Sequence, residues 1–317
     1  LGKSVTLASK AGNAFFWDGS IGWRVVDMNW PRKRSFPRLV LDRVKEFQAD
    51  NFRGFARRIS GVIGVSAVLA TALAGYQFAS QVARTPSVQF GLQSDEQIVA
   101  RFEQQVADSP LGGTFARLRA DFPQEYQEFY RGIIDIARSG GTEEQQIIAS
   151  NEYSQTYMSE FWRRHRQEMQ RAEPEAISRW IELESAALAA LGNVSPQACA
   201  EYFEAGYITP EVAAAALPRV AVEFGRAREA MFDMIRSGQR VPQQYEPIND
   251  EEWSMLYEAA VAAGAHPSVL DVYGTPDLAH QPIQQRCQTG IAFYRAIADE
   301  PDLSQRARLA AAMLSDS

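Results

Sequence analysis

Hydrophobic and polar positions fall into three regimes along the chain. Residues 1–58 mix aromatic and basic residues without a sustained period, and Ile59 to Ala79 is a run of 21 residues with no charged side chain. From residue 94 onward apolar residues recur at intervals of three and four, the spacing that places them on one face of an α-helix.

Helix signals then follow one another to the C-terminus. Ser94 before Asp95 and Glu96 predicts a helix to about Ser109, and Thr114 to about Asp121 a short second one. Pro123 opens a third, with Tyr126, Phe129, Tyr130, Ile133, Ile134 and Ala137 on one face, ended by Ser139 to Gly141. Thr142 with Gln145 reads as a capping box for a long helix to about Ala172, striped by Tyr153, Tyr157 and Phe161. Pro174 begins another, ended by Gly192, and Ser195-Pro196 starts a short one carrying Cys199. The helix after Thr209-Pro210 is expected to break at Pro218 and resume to Gly238. Asn249 with Glu252 and Asp302 with Gln305 cap two more helices, separated by an irregular stretch and a helix from Ile283 to Asp299. The expected fold class is all-α: an irregular bundle of about nine to ten helices preceded by one N-terminal transmembrane helix. No repeat of fixed period supports a solenoid.

The uncharged run matches the length of about 20 helical residues that a bilayer core requires. Its membrane-facing candidates are Ile59, Val62, Ile63, Val65, Val68, Leu69, Leu73 and Tyr76. Arg53, Arg57 and Arg58 precede it, and Arg84 is the one basic residue between it and Arg101, so the N-terminus is expected in the cytoplasm and the body across the membrane. Ala72-Leu73-Ala74 also suits a signal-peptidase site. Cleavage there would leave a secreted helical protein starting near Gly75. A buried core helix is the third reading.

Charge sharpens the division. Residues 1–58 hold 12 Lys and Arg against 5 Asp and Glu, whereas residues 80–317 hold 20 against 34. The expected organisation is a basic cytoplasmic head (1–58), a transmembrane helix (59–79), a linker (80–93) and an acidic, all-helical extracytoplasmic domain (94–317). Residues 1–27 precede the first methionine, Met28, and are read as disordered or outside the translated chain. All four lysines lie in the head, and Arg with abundant Ala in the body is typical of a GC-rich bacterial gene. Membrane lipid is the expected partner of the head and an envelope protein that of the body; no nucleic-acid partner is expected from the short run Pro31-Arg32-Lys33-Arg34. The placement is therefore the bacterial inner membrane with a periplasmic body.

Candidate chemistry changes this picture little. Cys199 and Cys287 could pair, closing a loop whose cross-link is worth about 4–5 kcal/mol in the chain-entropy account, or stay as two buried thiols. His165, His266 and His280 have no metal-ligand spacing, and nucleophile elbows, phosphate loops and dinucleotide fingerprints are missing. No cofactor or metal is expected, and the balance is against an enzyme. One fragment, Glu184-Ser185 followed by Val194-Ser195-Pro196, resembles the lytic transglycosylases. The resemblance implies a periplasmic glycosidase with Glu184 as general acid. It covers residues 182–196, and "QACAEYFEAG" stands where that family has a Gly-Leu-Met-Gln-type segment. The competing reading is a carboxylate on a helix surface.

Overall fold

The computed structural model describes residues 6–8, 13–18 and 22–27 and, apart from 108–111, 141 and 207, residues 94–314. The run from Ile59 to Ala79, its candidate membrane-facing residues and the linker 80–93 lie outside the described residues. Among those described, no helix is long and apolar enough to cross a membrane. The chain divides into two compact units, 1–46 and 47–317.

The first unit holds a three-stranded antiparallel sheet, β1 (Thr6–Ala8), β2 (Asn13–Asp18) and β3 (Gly22–Asp27), in the order β1-β2-β3. Thr6 pairs with Phe16, and β2 meets β3 from Asn13 opposite Asp27 to Asp18 opposite Gly22. These strands stand outside the all-α expectation, which residues 94–314 meet. The runs Asn13–Asp18 and Gly22–Asp27 carry adjacent apolar residues, so no period of two shows in them. The Asp18-Gly19 step between two short apolar runs is the hairpin signal that a search for periodicity passes over.

Residues 94–314 contain no strand among those described. They form α1 (Asp95–Ala107), α2 (Gly112–Asp121), α3 (Pro123–Arg138), α4 (Glu143–Arg164), α5 (Arg166–Gln170), α6 (Pro174–Val194), α7 (Pro196–Ala205), α8 (Pro210–Ala216), α9 (Ala221–Arg240), α10 (Asp250–Ala262), α11 (Pro267–Leu270), α12 (Ile283–Ala298) and α13 (Leu303–Met313). Ten of these thirteen are ten residues or longer. The three short ones arise where a longer run is interrupted or the chain is irregular. At His165 the backbone leaves helical geometry (φ −96°, ψ 11°) and separates α4 from α5. At Pro218 the chain makes a 3₁₀ turn, Leu217–Arg219, between α8 and α9.

Helix starts follow local chemistry. Thr142 Oγ1 accepts from the Gln145 N–H at 3.3 Å while the Gln145 side chain accepts from the Thr142 N–H at 3.0 Å. Asn249 and Glu252 form the same reciprocal pair at 2.9 and 3.0 Å. Asp302 accepts from the Gln305 N–H at 2.7 Å. Each satisfies backbone donors that a first helical turn leaves without partners.

The core is built around α6, which packs against α7, α9, α12 and α13. Its buried residues recur from Ile177 through Trp180, Ile181, Leu188 and Leu191. The expectation that Gly192 and Gly238 end their helices is corrected: α6 runs on to Val194 and α9 to Arg240. Left-handed glycines do end elements elsewhere, at Gly140 (φ 80°) and Gly206 (φ 68°). The two helical glycines serve close approach instead. A methyl group on Gly238 would fall on the Glu168 carbonyl of α5. One on Gly192 would stand 2.6 Å from Ile291 Cδ1 and 3.1 Å from Cys287 Sγ.

Gly238→Ala is therefore expected to destabilise the fold by about 1–3 kcal/mol, because backbone cannot yield as a flexible side chain can. Alanine's intrinsic helical advantage of about 1 kcal/mol acts in the opposite direction. Urea unfolding measures the balance, and an unchanged or raised midpoint would contradict the close approach.

Candidate functional site

Glu184 sits midway along α6, on the same stripe as Ile177, Trp180, Ile181 and Leu188. It is 1 % exposed, and Arg228 of α9 is fully buried opposite it. Arg228 Nη1 lies 3.6 Å from Glu184 Oε2. The Tyr202 hydroxyl of α7 donates to Glu184 Oε1 and accepts from Arg228 Nη2 at 2.8 Å. Burial above all pushes the Tyr202 phenol upward in pKa, so it stays a neutral donor. Tyr294 of α12 is buried beside the group and shifted in the same direction, first by burial and then by Glu184. One polar knot thus joins four helices at the centre of the bundle.

Neither sequence reading placed Glu184 there. It is not on a helix surface, and a general acid has to reach a glycosidic oxygen, which a carboxylate 1 % exposed and held by Arg228 does not do in this arrangement. A signal for the knot was nevertheless present. Glu184 and Arg228 each interrupt an apolar stripe, Trp180/Ile181/Leu188 on one helix and Phe224/Met231/Ile235 on the other. Opposite charges on two such stripes mark a buried pair.

Cys199 of α7 and Cys287 of α12 form a disulfide with a Cα–Cα distance of 5.2 Å. Both are buried, and Gly192 of α6 leaves them room. Phe161 is fully buried, while Tyr153 and Tyr157 are half-buried against Phe129 at 5.8 and 5.4 Å. Tyr157 donates to the Glu125 carbonyl at 2.6 Å, and burial pushes its phenol up to about 12. These contacts make the aromatic stripe part of the packing. His165 stacks on Phe161 at 4.6 Å between Glu125 and Glu168. The His266 ring meets the Gln288 side chain at 3.0 Å, and His280 closes a short 3₁₀ turn. Among the described residues no three His, Cys, Asp or Glu side chains gather as a metal would require.

A cleft of about 650 Å³ lies between α1, α2 and α3. Ala100, Glu103, Gln104 and Ala107 line it from α1, the i, i+3, i+4, i+7 face of that helix. Gly112, Phe115, Ala116, Arg119 and Ala120 repeat the spacing on α2. Ala100, Ala107, Gly112, Ala116 and Ala120 at these positions carry too little side chain to fill the space between the helices. Tyr126 and Tyr130 of α3 form its aromatic wall, ring centroids 4.5 Å apart. Glu103 Oε1 accepts from the Tyr126 hydroxyl and from Arg119 Nη1, the latter at 3.2 Å. The Arg119 guanidinium also stands 5.8 Å from the centre of the Tyr126 ring. Burial, then the bond to Glu103, raises the Tyr126 pKa. Sequence reasoning placed Tyr126 and Tyr130 on one apolar face, left Gly112 in a break before the second helix, and missed that three helices meet here.

No protein-family model, curated protein or solved structure matches the chain.

Removing one member of the knot leaves a buried charge without its counter-charge. Arg228→Met is expected to destabilise by about 3–5 kcal/mol, and Tyr202→Phe by about 1–3 kcal/mol. Combining Arg228→Met with Glu184→Gln should cost less than the sum of the single changes in denaturant titrations. Strict additivity would mean the two groups do not interact.

Proposed function

We propose that this chain is a single-pass bacterial envelope protein whose helical body acts outside the cytoplasm as an interaction or scaffolding domain. The observation that carries the reading is the disulfide between Cys199 and Cys287, buried where α6, α7 and α12 meet. Structural disulfides persist in oxidising compartments and are rare in the cytosol. The change from a basic head to an acidic body across an uncharged run of bilayer length points the same way. The body's cleft and rigid core fit an interaction role.

The experiment is to quench thiols in intact cells with N-ethylmaleimide, denature, and treat with a maleimide-linked polymer with and without prior reduction. A two-polymer shift only after reduction is expected. Modification of both cysteines without reduction would sink the extracytoplasmic reading. In the purified protein, reduction or Cys199→Ser should lower stability by about 2–5 kcal/mol.

A further inference from the structure

No further inference is drawn: the strongest candidate, the side-chain cluster at the break between α4 and α5 in which the His165 ring stands 3.8 Å from Glu125 and 3.5 Å from Glu168, rests on two contacts too long for good hydrogen bonds, and nothing in the structure ties a charge on that ring to a change in the bundle.

Discussion

A carboxylate at the centre of α6, the helix against which four others pack, governs how this domain is put together. Glu184 on α6 is removed from water, and an isolated carboxylate there would be too costly to keep ionised. It is held by a guanidinium from α9 and a phenol from α7, with a second phenol from α12 alongside. Hydrophobic burial is non-directional and would tolerate sliding or rotation of one helix on another. The knot does not, because the bonds of the Tyr202 hydroxyl to Glu184 and Arg228, and the Arg228–Glu184 ion pair, form in one register. The bundle's arrangement is thereby specified at its centre by polar contacts and stabilised around them by apolar packing.

The same helix accepts its neighbours at glycines. Gly192 lets α12 and the cystine approach α6, as Gly238 lets α9 cross α5. Ser237 reinforces the crossing: it accepts from the Glu173 N–H at 2.9 Å and donates to the Glu173 carboxylate at 3.0 Å.

Much of the helical layout was legible because its signals are local. Thr142/Gln145, Asn249/Glu252 and the break at Pro218 depend on residues within a turn of each other, and the structure reproduces them. What depends on contacts distant in sequence was harder to read. Glu184 looked like a surface residue because a charge is ordinarily solvated, and its partner is found only 44 residues on, in another helix. Gly192 and Gly238 looked like terminators because glycine has two uses in helices, and the neighbour that decides between them is not in the local sequence. The cleft is the extreme case. Each of its three faces has an ordinary helical spacing, and its volume exists only through their juxtaposition.

The burial of the cystine has a consequence for the order of assembly. Its sulfurs lie beneath α6, from cysteines 88 positions apart in the sequence, and Cys199 and Cys287 are 0 % and 3 % exposed. A thiol oxidant cannot reach them through the finished bundle. The thiols are open to an oxidant before α6 is seated over them. The helices between the two cysteines are then drawn together before the core closes over the link. Once closed, the core shields the bond from reductants, so the link outlasts changes in the surrounding solution for as long as the bundle stays folded.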